Sequence, residues 1–415
     1  MAVVRPFKGV RPNPALADKV AALPYDVMNT EEAREMAKGN PYSFLHVSRS
    51  EIDLDENTNP YDEVVYIKAA ENLKNMMAEG VLIQDEIPKY YIYRQIMDGR
   101  SQTGLVACSS IDEYLDDTIK KHEFTRPEKE VDRINHFDYC NANTEPVFFA
   151  YRAKEEINEI INKWVNDHKP VYDFTSDDGI SHILWVMDDV EKIAELENLF
   201  KKVDYLYIAD GHHRTASAVK IGLKRREENP NYKGDEEFNF LMTVIFPDEE
   251  LMIMDYNRVV KDLNGNTLEE FLKKVEKAFT IEEWKGNEAY SPEGRHTFGM
   301  FVEDQWYKLT AKPEIINEED FVERLDVSIL QKNLLNPILG IENPRTDKRI
   351  DFVGGIRGLK ELERRTKKDM KIAFSLYPPS MAELFAIADI GEVMPPKSTW
   401  FEPKLRSGLF IHLLG

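Results

Sequence analysis

Hydrophobic and polar positions along this chain follow two different periods, and the places where the period changes mark its elements. The run Tyr205 to Ala209, YLYIA, is short, unbroken and rich in aromatic and β-branched side chains, as the core of a buried strand should be. Asp210 and Gly211 interrupt it. Beyond them Ala216, Val219 and Leu223 recur at helical spacing, which predicts a helix with His212, His213 and Arg214 on its first turn. Gly211 provides the tight or left-handed backbone that such a strand-to-helix elbow needs. Upstream, the same patterns predict a helix over 31–38, capped by Asn29 or Thr30, a strand over 43–48, and a helix starting at Asn59-Pro60 and ending at Gly80. Asp98-Gly99 between two strand-like runs predicts a hairpin over 89–110. Thr125-Arg126-Pro127-Glu128 has the form of a capping box, so a helix should begin there. A strand over 145–152, an amphipathic helix over 154–167, a hairpin over 170–188 and a helix over 190–202 lead into the elbow. Strands alternating with helices in this way give an α/β or α+β layer.

After the elbow helix, the polar stretch 228–237 is the best candidate for a boundary or a loop. Two strand-like runs follow over 238–260, then a helix and a hairpin over 267–309 with Glu303-Asp304-Gln305 at its tip. A helix is expected over 319–335. Residues 350–365 read as strand, Gly354-Gly355 and helix, a second turn able to receive an anion. A strand over 371–377, a helix over 381–390 and a terminal strand over 409–414 complete the chain, and no solenoid period repeats.

Composition narrows the partners. With 415 residues, 42% hydrophobic and 31% charged, the chain has room for two or three globular domains. Lys plus Arg number 54 against 75 Asp plus Glu, a net charge of −21, which opposes non-specific binding to nucleic acid or an anionic membrane. A local basic site for a small anion remains compatible with that balance. Cys108 and Cys140 stand outside any CxxC or zinc spacing and read as free thiols of a reducing compartment. With no apolar core of signal-peptide length and no bilayer-length apolar run, the expected location is the cytoplasm.

Three stretches carry chemistry. At the elbow, the free N–H groups of a first helical turn, two imidazoles and a guanidinium suit phosphate or carboxylate, and Asp210 is placed to hold a metal ion or orient a histidine. The competing reading is a capped helix whose histidines only satisfy hydrogen bonds. His122 and Glu123 lie just upstream of the capped helix, where a charged pair is either catalytic or merely solvated. Residues 392–407, broken by three prolines, concentrate Lys397, Ser398, Thr399, Lys404 and Arg406, either an anion-binding segment or a basic surface loop. The phosphate-binding GxxxxGK[ST] loop, the GxSxG nucleophile elbow, the HExxH zinc helix and the kinase catalytic-loop signature are all absent.

Taken together, His-Glu before a charged helix, Asp-Gly-His-His-Arg at an elbow and a late Pro-Lys-Ser-Thr segment resemble the free L-serine kinases of the ParB/sulfiredoxin-like superfamily. Through ADGHHRTASA and MPPKSTWFEPKLRSGLF, the chain as a whole resembles domain-of-unknown-function family 1015. The kinase resemblance covers islands from about 108 to 225 and 385 to 412, and the first hundred residues have no counterpart in the compact archaeal enzymes. It implies a ParB/sulfiredoxin-like core over 111–230, with mixed-sheet regions before it over 1–110 and after it over 231–415, the last returning to the site through its PPKST segment. It also implies phosphorylation of free serine or a similar hydroxy amino acid, with ADP or ATP as donor and Mg²⁺ as the expected ion. Carried over by residue, Glu123 is the general base with His122 beside it, and Asp210 is a catalytic or metal-holding carboxylate. Gly211, His212, His213, Arg214 and Thr215 form the phosphate and nucleotide cradle, and Lys397, Ser398 and Thr399 bind substrate.

A second reading is a nucleotide- or amino-acid-binding regulator on the same fold without catalysis. The carboxylate of the His-Glu pair favours the enzyme, since a sensor does not need a base. A nuclease or DNA-partition role is disfavoured by the net charge of −21 and by the lack of a helix-turn-helix after the elbow.

Overall fold

Asp98 and Gly99 take φ of +51° and +78° and turn the chain back on itself between two long antiparallel strands, as the dipeptide predicts. That hairpin is the middle of a mixed sheet in a computed structural model describing residues 2–125 and 127–415. The chain divides into two units, Met1–Leu251 with Pro403–Gly415, and Met252–Glu402.

Among the described residues, the first unit builds nine strands into one sheet: β1 (Val4–Arg5), β2 (Tyr90–Met97), β3 (Arg100–Ser110), β4 (Ile119–Lys120), β5 (Val147–Tyr151), β6 (Tyr172–Thr175), β7 (Ser181–Met187), β8 (Leu206–Asp210) and β9 (Phe240–Pro247). Their order is β4-β8-β5-β9-β3-β2-β7-β6, with β1 on β3. β8 runs parallel to β4 and β9 parallel to β5, and the other pairs are antiparallel. Five longer helices accompany the sheet: α1 (Glu63–Ala78), α2 (Pro127–Cys140), α3 (Glu155–Asp167), α4 (Val190–Phe200) and α5 (His212–Glu228). Phe149, Tyr151, Leu206 and Ile208 of the sheet bury themselves against Ile157 and Trp164 of α3 and Leu196 and Phe200 of α4. On α5, Lys220 pairs with Glu130 and Lys224 with Asp138, fixing it to α2. The boundaries expected near 110 and 230 fall within this unit, because its sheet recruits strands from Val4 to Pro247.

The second unit carries a six-stranded antiparallel sheet of β10 (Tyr256–Val260), β11 (Phe279–Glu283), β12 (Thr297–Val302), β13 (Gln305–Ala311), β14 (Ile350–Gly354) and β15 (Ile372–Leu376), in the order β11-β13-β12-β15-β10-β14. Its core gathers Phe271, Phe298, Met300, Leu309, Leu330 and Phe374. The molecule is therefore α+β with one large mixed sheet. Cys108 and Cys140 are both buried free thiols, as the spacing implied.

Several expectations are corrected. Residues 43–48 are not a strand: Leu45–Ser48 is a helical turn in which Ser43 Oγ accepts from the Leu45 N–H and Ser48 Oγ donates to the Phe44 carbonyl. A six-residue segment with only three apolar side chains, Phe44, Leu45 and Val47, fits either period, and the serines bond locally to the backbone. Pro60 does not open α1; the Tyr61 N–H donates to Asn59 Oδ1 in a turn, and the helix begins at Glu63. Asp320 accepts the N–H groups of Val322 and Glu323, so the helix expected from 319 starts only at Asp326 and passes into a π-helical turn, Gln331–Leu335. At the end of the chain, the strand shrinks to His412–Leu413. The Gly355 N–H donates to the Asp255 carbonyl, and a Cβ there would lie 2.1 Å from Asp255 Oδ1, so the second glycine turn serves close packing and not an anion. The Thr125–Glu128 capping box turns on Arg126 and the Glu128 side chain, which lie outside the described residues; the helix does begin at Pro127.

Candidate functional site

The elbow is shaped by a bulge as well as by glycine. Tyr207 and Ile208 pair with Ala150 and Phe149, then the register slips and Asp210 faces Phe148, which leaves Ala209 as the extra residue. A bulge of this kind re-aims the next side chain. Gly211 follows at φ +92° and ψ 32°, where a side chain would be strained, and its N–H donates to Asp210 Oδ1 at 2.9 Å. α5 then starts at His212, and its first turn is the positive end of the helix dipole.

The parallel partner β4 delivers the second motif to the same end of the sheet. Two residues after Lys120, the His122 N–H donates to His212 Nε2 at 3.4 Å, and the two imidazoles stand edge to face with centroids 4.4 Å apart. Because His212 Nε2 accepts, the neutral ring carries its hydrogen on Nδ1. Nδ1 in turn lies 4.0 Å from Glu123 Oε2, whose side chain is about half exposed. Both rings are buried, and burial holds them neutral: His122 is pushed down to about 4, and His212 well below its ordinary value, with His122 adding to the effect. The pair is thus a neutral hydrogen-bonded bracket behind an accessible carboxylate.

The chain returns to the elbow after Glu402. Lys404 Nζ sits 2.9 Å from Asp210 Oδ2, and the Lys404 carbonyl accepts from Gln95 Nε2 on β2. Two residues on, Arg406 donates to Ser176 Oγ and His182 Nε2 and pairs with Asp178, which locks the segment to the far edge of the sheet. Burial alone would raise the Asp210 carboxyl; the Lys404 ammonium and then the Arg214 guanidinium hold it well below the usual carboxylate range. Sequence reasoning named Lys404 within a basic, proline-rich segment but gave the site role to Lys397, Ser398 and Thr399 instead.

Each expected residue can now be placed. His122, Glu123, Asp210, Gly211 and His212 come together, and His213 follows half-buried on the first turn. Arg214 does not offer its side chain to an anion: it is buried beneath Gly211 and donates through Nη1 to the Pro146 carbonyl at 2.6 Å. Thr215 is wholly buried, its hydroxyl given to the Gly211 carbonyl one helical turn back. Helical rotation carries both toward the core. Lys397, Ser398 and Thr399 belong to the second unit, where Lys397 takes φ +57°, its Nζ lies 5.4 Å from the Tyr256 ring, and the buried Ser398 hydroxyl donates to the Pro395 carbonyl. Among the described residues no three His, Cys, Asp or Glu side chains gather into a metal cage. A single carboxylate such as Asp210 suits Mg²⁺, which is commonly bound through one or two carboxylates and substrate phosphates. No helix among the described residues is long and apolar enough to cross a membrane.

The family described as protein of unknown function (DUF1015) matches residues 4–328. No curated protein matches the chain. Among solved structures, a free serine kinase in complex with AMP is 16% identical, with 72% of this chain and 86% of that chain covered and a TM-score of 0.34. A conserved hypothetical protein from Pyrococcus furiosus is 16% identical over 72% and 90% of the two chains, TM-score 0.33. SbnI from Staphylococcus aureus, with a C-terminal truncation, is 11% identical over 74% and 87%, TM-score 0.39. Scores at this level do not establish a shared fold.

Proposed function

We propose, for a chain that belongs to the DUF1015 family, a small-molecule phosphotransferase that phosphorylates the hydroxyl of free L-serine or a similar hydroxy amino acid with ADP or ATP. The observation that carries this reading is the convergence of His122-Glu123, at the end of β4, on Asp210–His212, at the end of its parallel neighbour β8. The loops after parallel strands are where open sheets receive ligands. The assignment of the core to the ParB/sulfiredoxin-like superfamily rests on the same motifs.

In this reading the donor's terminal phosphate rests on the first-turn N–H groups of α5, beside His213. Glu123 takes the proton of the acceptor hydroxyl as the new O–P bond forms, while the bond from phosphorus to the leaving nucleotide breaks; ADP departs as AMP, ATP as ADP. His212 Nδ1 lies 4.0 Å from the Glu123 carboxylate, near enough to steer it toward the acceptor hydroxyl, and the His122 N–H fixes the tautomer that leaves the hydrogen on Nδ1. Arg214 and Lys404 keep Asp210 ionised. Asp210 would hold Mg²⁺ together with phosphate oxygens, the ion supplying charge neutralisation.

The test is incubation of the purified chain with ADP or ATP and a panel of amino acids, followed by mass spectrometry for a phosphorylated product. Phosphoserine dependent on Glu123 supports the reading. Nucleotide binding with no phosphorylated product from any acceptor would replace it with a regulator.

A further inference from the structure

A cleft of about 430 Å³ lies wholly within the second unit, lined by residues between 256 and 400. Small-molecule sites usually fall in the range of about 300–1,000 Å³. One wall is aromatic. Trp400 rests over Gly354 of β14, where a Cβ would come within 2.8 Å of the indole. It stands edge to face with Tyr256 of β10 at 5.1 Å, and Tyr256 in turn meets Phe352 at 6.0 Å. The other wall is α6 (Lys360–Lys368) with the turn before it, which bring Arg357, Arg364, Arg365 and Lys368 to the cleft.

Charge in the cleft is one-sided once its ion pairs are set aside. Arg364 holds Glu361, and Arg365 holds Asp351 and Asp369, so all three lining carboxylates are engaged. Arg357 and Lys368 are exposed and, among the described residues, enter no ion pair. Lys397 adds a further cation, its Nζ 5.4 Å from the Tyr256 ring. Behind the aromatic wall Arg258 of β10 is only 4% exposed, and no carboxylate pairs with it. Its guanidinium donates to the Tyr256 and Pro396 carbonyls and lies 5.4 Å from the Phe352 ring, and burial pushes it down to about 10. A buried charge without a counter-ion is unfavourable, so an anion in front of this wall is favoured.

We infer that this cleft binds a flat aromatic ring bearing a phosphate or carboxylate, the ring on the wall of Trp400, Tyr256 and Phe352 and the anionic group toward Arg357 and Lys368. Aromatic side chains stack with other rings, and the cations beside them supply charge-assisted hydrogen bonds, so the two walls select one ligand class. An inorganic anion would leave the aromatic wall uncovered, and a neutral ring would leave the cations unanswered. A peptide fits less well. The Phe352 N–H, on the edge strand β14, is already accepted by Asp351 Oδ1 at 2.8 Å, which blocks addition of a further strand there. No lining residue belongs to the His122-Glu123 or Asp210–Thr215 stretches, so the inference stands whatever the elbow catalyses.

Isothermal titration calorimetry of the full chain tests it, with flavin mononucleotide, phenyl phosphate and benzoate as probes. Riboflavin, phenol, inorganic phosphate and acetate supply the ring or the charge alone. At least one ring-bearing anion should bind, and its separated parts at least about tenfold more weakly, the loss expected for one charge-assisted hydrogen bond or one stacked ring. Phenyl phosphate and benzoate share a ring, so the tighter of the two identifies the anionic group. The double variant Arg357→Glu/Lys368→Glu, at exposed positions without ion pairs, should keep the fold and weaken binding at least about tenfold. A phosphate held at the elbow would not respond to these substitutions. The inference is overturned if no ring-bearing anion binds at millimolar concentration, if a ring or an anion alone binds as tightly as the best probe, or if the double variant titrates like the parent.

Discussion

Lys404 Nζ and Asp210 Oδ2 meet at 2.9 Å across 194 residues of sequence, and this contact ties the end of the chain to the elbow. The lysine side chain is 14% exposed and the aspartate 31%, so solvent screens the pair and its worth is about 1 kcal/mol. Lys404→Ala should cost about that much at pH 7 in urea titrations. The Asp210 carboxyl is depressed in the folded state, so its stabilisation is present above the ordinary carboxylate value of about 3.9 and is lost as pH falls through the folded one. The gap between parent and variant should therefore close in acid. A gap undiminished in acid strong enough to protonate the folded carboxyl would mean that the lysine acts through packing instead.

Gly211 is the second fixed point of the elbow. At φ +92° a side chain is strained, and a Cβ would stand 2.8 Å from Val147 Cγ1 and 3.2 Å from Arg214 Cζ. Gly211→Ala should lose about 2–3 kcal/mol of stability, backbone and overpacking costs together. Calorimetric unfolding at the parent's melting temperature would contradict the assigned geometry.

The elbow, the 98–99 hairpin and the position of His122-Glu123 before a helix were legible because each depends on neighbours within a few residues. What the sequence hid was tertiary. The bulge at Ala209 exists only relative to β5, and the inward turn of Arg214 depends on a carbonyl from Pro146. Lys397 and Lys404 look alike in a basic segment, and only the folded chain shows that Lys404 reaches Asp210. Residues 43–48 carried apolar side chains without enough length to reveal their period, so local serine hydrogen bonds decided for a helical turn.

The buried bracket makes acid stability depend on His122. Its folded-state value is down at about 4 against an ordinary value of about 6.5, so the unfolded chain takes a proton first and stability falls as pH drops through that interval. The contribution is about 3 kcal/mol, all of it present above pH 6.5 and gone near pH 4. Glu113, pushed up to about 7 by burial, works in the opposite sense, losing stability as pH rises from its ordinary value toward 7. The informative quantity is therefore the difference between parent and His122→Gln. Denaturant midpoints at pH 7, 5.5 and 4.5 should converge toward acid. Parallel profiles would place His122 in a protonated, solvent-coupled state.

Glu123 separates chemistry from binding. A serine hydroxyl is a poor nucleophile near neutrality, and a carboxylate that accepts its proton during bond formation contributes about 10²–10⁴-fold, or roughly 3–5 kcal/mol of barrier. Glu123→Gln preserves shape and keeps an acceptor oxygen where the carboxylate lies 4.0 Å from His212 Nδ1, while the base is gone. Serine-dependent transfer should fall by about that factor with nucleotide affinity unchanged, because the first-turn N–H groups of α5 and the Asp210–Lys404 pair are intact. His212→Gln should produce a smaller loss, about tenfold, through misplacement of the carboxylate. Equal activity in Glu123→Gln would remove this residue from the reaction. Nucleotide binding lost together with activity would instead make Glu123 part of the phosphate or metal site, and the base would then have to be sought at Asp210, the other carboxylate of the elbow.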